Sequence, residues 1–144
     1  MSTNQTTPRT YTISARPENA KRMSVLILDD NTKLTTTLKE NLEDQGYRTT
    51  IVPSGTEGIV EILKNDFDAI VCDMVMPNFP GDMFYSAVQQ SRPHLCQRFI
   101  FITGHQSNPK IAEFILQTGC PALWKPFETR QLFEALETVT GRSS

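Results

Sequence analysis

The sequence is poor in the devices that would lock it covalently or seat it in a membrane. Three cysteines occur in 144 residues, Cys72, Cys96 and Cys120, with no C-x-x-C pair and no histidine at zinc-finger spacing. An odd, scattered set excludes a disulfide framework and a structural zinc site, and these thiols are read as reduced and packed. No apolar run approaches the roughly 18 to 20 residues that a membrane span requires; the longest, such as Phe99 to Ile102 and Ala69 to Cys72, stop far short. Neither sign of charge dominates. With 14 Lys+Arg against 16 Asp+Glu the net charge is −2, which excludes a broad basic footprint for nucleic acid or a polybasic membrane patch. The first 22 residues lack the apolar core of a secretory signal, so a cytoplasmic chain with no membrane insertion is expected. Also missing is a G-x-x-x-x-G-K-[ST] loop: Ser54-Gly55-Thr56-Glu57-Gly58 has no lysine after it, which removes the P-loop nucleotide hydrolases.

What remains is 38% apolar residues, about 55 side chains and enough for a single core. Residues 1–22 read as a polar, disordered tail and residues 23–142 as one domain, with no output domain. Within that domain short β-branched runs alternate with helical stripes. Ser24 to Asp29 reads as a strand, followed by Leu34, Leu38 and Leu42 at helical spacing until Gly46. Tyr47 to Val52 is a second strand; Ser54 and Glu57 then form an expected capping box ahead of Ile59, Ile62 and Leu63 on one helical face. Asp68 to Asp73 is a third, and Phe84, Ala87 and Val88 make the next stripe, ended by Arg92-Pro93. Arg98 to Thr103 is a fourth, then Asn108-Pro109 opens a helix that Gly119 closes. Ala122 to Lys125 and a final stripe of Leu132, Phe133, Leu136 and Val139 complete five units. Strict alternation implies a parallel sheet with helices on both faces, an α/β three-layer doubly wound fold.

In open parallel sheets the functional crevice lies at the carboxyl ends of the strands. Those ends are polar here: Asp29-Asp30 on the first strand, Asp73 on the third, Thr103 on the fourth and Lys125 on the fifth. Three crowded carboxylates resist full ionisation unless a hard divalent cation sits among them, so a Mg²⁺ (or Mn²⁺) site is expected. Each residue also has a plain reading, Asp29-Asp30-Asn31 as a helix-capping cluster, Asp73 as a turn residue, Lys125 as a solvated strand end. The set at successive strand ends argues for a site. His94, next to Pro93, is read as a surface loop residue with no role.

These residues resemble the phosphoaspartate receiver domains of bacterial two-component signalling. The resemblance rests on the pair Asp29-Asp30, on Asp73-Met74-Val75-Met76-Pro77 with Gly81, on Thr103-Gly104 and on Lys125-Pro126-Phe127. Thr103 and Lys125 fall 30 and 52 residues beyond Asp73, as in that family. The stretch from Phe101 to Phe127 is most similar to receivers associated with hybrid histidine kinases. Met1 followed by a polar tail instead favours a free-standing regulator.

The resemblance implies a flavodoxin-like (βα)5 fold of five parallel strands. It implies that Asp73 accepts a phosphoryl group from a histidine kinase or histidine phosphotransfer domain. Asp29, Asp30, Asp73 and the backbone carbonyl of Val75 would hold the metal, and Thr103 and Lys125 would contact the phosphoryl oxygens. Gly104 would move with Thr103, while Val75 and His105 would flank the approach of hydrolytic water. Output would pass to a downstream protein target, with no direct nucleic-acid contact, and the chain would not be an enzyme beyond self-phosphorylation and autodephosphorylation. Where many receivers carry a switching aromatic there is Ala122, so the output route differs. Two other classes fit less well. An aspartate-nucleophile phosphohydrolase would need a second carboxylate two residues after Asp73, and a non-phosphorylated interaction module on the same fold would be expected to have lost part of the polar set.

Overall fold

A computed structural model describes residues 22–104 and 108–141. Five strands form one parallel sheet: β1 (Ser24–Leu28), β2 (Arg48–Val52), β3 (Ala69–Asp73), β4 (Phe99–Thr103) and β5 (Ala122–Trp124). Helices alternate with them: α1 (Thr32–Asp44), α2 (Gly55–Lys64), α3 (Gly81–Ser91), α4 (Pro109–Thr118) and α5 (Thr129–Thr140). The spatial order β2-β1-β3-β4-β5 reverses direction between β1 and β3, which opens a crevice above their carboxyl ends. The expected architecture is therefore the observed one. Among the described residues no helix is long and apolar enough to cross a membrane.

Alternation along the buried strands sorts the core into two layers. Leu26, Leu28, Ile70, Cys72, Phe99 and Phe101 face α2, α3 and α4. Val25, Ile27, Ala69, Val71, Ile100, Ile102 and Leu123 face α1 and α5. Most strands carry apolar residues on both sides because both sides are covered, which is why they read as runs rather than alternations. Edge strand β2 is the exception. Its Arg48 N–H and Val52 carbonyl turn toward β1, and on the open side Lys39 of α1 donates to the Thr49 carbonyl at 3.2 Å while pairing with Glu43 at 3.0 Å.

Helix ends follow the expected chemistry in part. Asn31 caps α1 through Leu34 N–H, Asn108 caps α4, and Gly119 closes α4 in the left-handed conformation. The Ser54–Glu57 capping box does not form. Ser54 is the N-cap residue, but its hydroxyl lies 3.3 Å from the Glu57 carboxylate, a charge-assisted contact that leaves the backbone N–H uncapped. The reciprocal box occurs on α5, between Glu128 and Gln131. Leu63, expected on the buried face of α2, is 58% exposed. The face turned inward carries Gly55, Gly58 and Ile62 instead, because Phe84 and Leu28 occupy the space a Gly58 side chain would need. His94 lies in a 3-10 helix, Pro93–Arg98, rather than a loop. It stays exposed and sits 3.4 Å from Asp66, beside Arg92 and Arg98.

Candidate functional site

Register brings the polar strand ends together. Leu28 pairs with Cys72 across β1 and β3, so the next residues, Asp29 and Asp73, run out of the sheet side by side. Both continue the series that faces α1 and α5, as does Lys125 two residues after Leu123. Lys125 thus reaches back across the crevice, its Nζ lying 3.1 Å from Asp29 Oδ2 and 3.6 Å from Asp73 Oδ2. Thr103 ends β4 fully buried, pairs with Trp124 on β5, and accepts the Lys125 N–H on its carbonyl at 2.8 Å.

Asp29 and Asp73 are buried and Asp30 is exposed, and oxygens of the three carboxylates all lie within 4.8 Å of one another. Asp29 Oδ1 accepts the Asn31 N–H at 2.9 Å. Its Oδ2 is buried and, despite the ion pair with Lys125, has no aligned hydrogen bond; the two facts are compatible because Coulomb attraction tolerates an angle that a hydrogen bond does not. Asp73 Oδ1 accepts the Val75 N–H at 3.1 Å. Burial pushes the Asp73 pKa up to about 6; Asp29 and Asp30 add to the rise, while the Val75 hydrogen bond and Lys125 oppose it.

A buried carboxylate oxygen with no aligned hydrogen bond, an all-oxygen donor set and an exposed member open to solvent fit a hard cation such as Mg²⁺, which keeps several waters. Asp29, Asp30 and Asp73 could hold it.

The loop beyond Asp73 is shaped by close approach. A Cβ at Gly81 would fall 2.7 Å from the Asp73 carbonyl oxygen and 2.9 Å from Met74 Cα, so only glycine lets α3 start there. Gly81 N–H donates to the Met74 carbonyl and Asn78 takes a φ of 69° in the turn. Further along, the Phe79 ring fills a notch in α2, where a Gly55 Cβ would lie 2.7 Å from it. Sequence reasoning placed Gly81 in this loop; it missed the Phe79–Gly55 contact, which no local motif encodes.

Every predicted site residue among the described ones sits at this rim. Val75 projects a 43% exposed side chain, Gly104 follows Thr103, and His105 lies outside the described residues.

The sequence matches the family described as "Response regulator receiver domain" over residues 25–137. It is 26% identical over 122 residues to the transcriptional regulatory protein RprY of Bacteroides fragilis, covering 85% of this chain and 51% of that protein. It is 30% identical over 119 residues to the response regulator SaeR of Staphylococcus aureus, covering 82% and 50%. The chain thus spans about half the length of the curated relatives it matches. Among solved structures, a putative response regulator from Chloroflexus aurantiacus superposes with a TM-score of 0.75 at 27% identity, covering 85% of this chain and 100% of that one. The non-phosphorylated HemR receiver domain of Leptospira biflexa gives 0.74 at 25%, covering 85% and 98%.

Proposed function

This chain belongs to the response regulator receiver domain family, and from that premise we propose that Asp73 accepts a phosphoryl group from the phosphohistidine of a histidine kinase or histidine phosphotransfer domain. The observation that carries this reading is the buried Asp73 carboxylate, set within reach of the Lys125 ammonium and beside Asp29 and Asp30. A carboxylate oxygen of Asp73 attacks phosphorus in line, the new O–P bond forms as the N–P bond breaks, and the electron pair leaves with the donor imidazole. Asp29, Asp30, Asp73 and the Val75 carbonyl would hold Mg²⁺, which when bound would offset the charge gathered on the phosphoryl oxygens. Lys125 pairs with one such oxygen and the Thr103 hydroxyl donates to another. Thr103 ends β4 and Lys125 directly follows β5, so both stand at the rim before the reaction.

On this reading the chain is a signalling acceptor, not a turnover enzyme. It acts in the cytoplasm and passes its state to a downstream protein by contact. Val75 and His105 would set the lifetime of the phosphoryl group through the approach of hydrolytic water, and Gly104 would move with Thr103. Incubating the protein with phosphoramidate or acetyl phosphate and Mg²⁺, followed by intact mass measurement, tests the proposal. One phosphoryl group is expected on the parent chain and none on Asp73→Asn; a modification that persists in the variant moves the acceptor elsewhere.

A further inference from the structure

Between the loop after β3 and the first turns of α4 lies a cleft of about 320 Å³. Its walls include Met74 and Met76, both buried, the half-buried Ile111 and Phe114, and the exposed side chain of Val75. Exposed valine and half-buried Ile111 and Phe114, backed by the buried Met74 and Met76, make an apolar seat at a concave surface. Two opposite charges also line it. Lys110, in the first turn of α4, has an exposed ammonium that forms no ion pair among the described residues, and it adds to the positive end of the helix. Asp82, in the first turn of α3, accepts the Met83 N–H and forms no ion pair among the described residues. An apolar cleft bordered by a cation and an anion that are unpaired among the described residues is matched by a surface of the inverse pattern. Nucleic acid would need net positive charge here, and an anionic lipid surface would meet Asp82 unpaired.

We propose that this cleft seats the downstream protein partner through an amphipathic helix. Apolar residues at i and i+3 or i+4 enter the cleft, an acidic residue faces Lys110 and a basic one faces Asp82. Coupling to the acceptor is direct: the Val75 N–H is hydrogen-bonded to Asp73 Oδ1, so loading that carboxylate with a phosphoryl group changes the bond that holds Val75. Docking strength therefore reports the state of Asp73. This coupling rests on the phosphoacceptor reading; the docking surface itself does not.

The test selects binders from a displayed library of short helix-forming peptides against the full chain, with and without beryllofluoride and Mg²⁺. Enriched peptides are expected to share apolar i, i+3 or i+4 anchors and an acidic residue. Ile111→Glu should weaken them by about tenfold or more. Lys110→Glu, on an exposed side chain that leaves the fold intact, should reverse the preference within a matched pair of peptides bearing glutamate or lysine at that position. Binders indifferent to both substitutions, or no cleft-dependent binders at all, would overturn the docking site. Equal affinity with and without beryllofluoride, on protein that does take up phosphoryl groups, would overturn the coupling. Failure of the parent chain to take up phosphoryl groups would strike the proposed function and leave the peptide result standing.

Discussion

At the scale of single residues, Asp73 is held in a setting that disfavours its charge. Its folded pKa of about 6 lies above the value of about 3.9 expected of an unfolded aspartate. The folded chain therefore binds this proton more tightly than the unfolded chain. The associated stability is present below about pH 4 and is lost as pH rises through about 6. For a residue only 5% exposed the difference is roughly 1 to 3 kcal/mol. Chemical denaturation of metal-free protein should accordingly show Asp73→Asn more stable than the parent at pH 7, with the gap closing toward pH 4. A variant equally or less stable at pH 7 would show that Lys125 already neutralises the carboxylate.

At the scale of elements, α2 shows where local patterns stop informing. Its sequence offers Ile59, Ile62 and Leu63 as one apolar stripe, and only Ile62 of these is fully buried. The helix turns its two glycines inward because aromatic rings from the next βα unit need the room, a fact set by Phe79 and Phe84 rather than by α2. A methyl group at Gly58 would fall 2.6 Å from Leu28 Cδ2 and 2.8 Å from Phe84 Cε1. Overpacking of this kind costs about 1 to 3 kcal/mol, and the better helix propensity of alanine returns at most about 1. Gly58→Ala should thus lower thermal stability despite being a favourable exchange for an isolated helix; a melting temperature at or above the parent's would mean that the Phe84 ring yields freely. By contrast, Asn108-Pro109 and Gly119 mark α4 correctly because caps act within a few residues of the backbone groups they satisfy. Glu128 and Gln131 bracket α5 by the same logic, yet glutamate is an unusual N-cap and gave no signal.

For the molecule as a whole, the strand ends were legible because β-branched and aromatic runs halt abruptly at Asp29, Asp73 and Thr103. The fold is legible in the alternation of those runs with helical stripes, whereas Val75, Gly104 and His105 enter only through the family resemblance. Which carboxylate oxygen faces Lys125, and that the Asp29 oxygen lacks an aligned donor, depend on strand register and side-chain direction, which no spacing rule supplies. The route out of the site also belongs to this scale. Ala122 offers no rotamer to flip; it pairs with Phe101 and packs against the same core layer as Tyr85 and Phe114, and the rings of Tyr85, Phe101 and Phe114 lie 5.6 to 5.8 Å apart. Phe114 stands on α4, so a change at the rim is expected to surface there. Amide exchange with and without beryllofluoride and Mg²⁺ should differ in Pro109–Thr118; differences confined to residues 73–81 would contradict this route.

The capped edge of the sheet has a further consequence. One border is β5, three residues long, and the other is β2, whose outward Thr49 carbonyl is already occupied by Lys39. A short border and an occupied carbonyl disfavour the row of free peptide groups that another polypeptide needs to extend the sheet. On the proposed function, recognition by an upstream donor or a downstream target would then fall mainly to side chains on helices and loops. Such contacts would be made and undone as a phosphoryl group came and went, sparing the chain the nearly irreversible pairing of backbone to backbone.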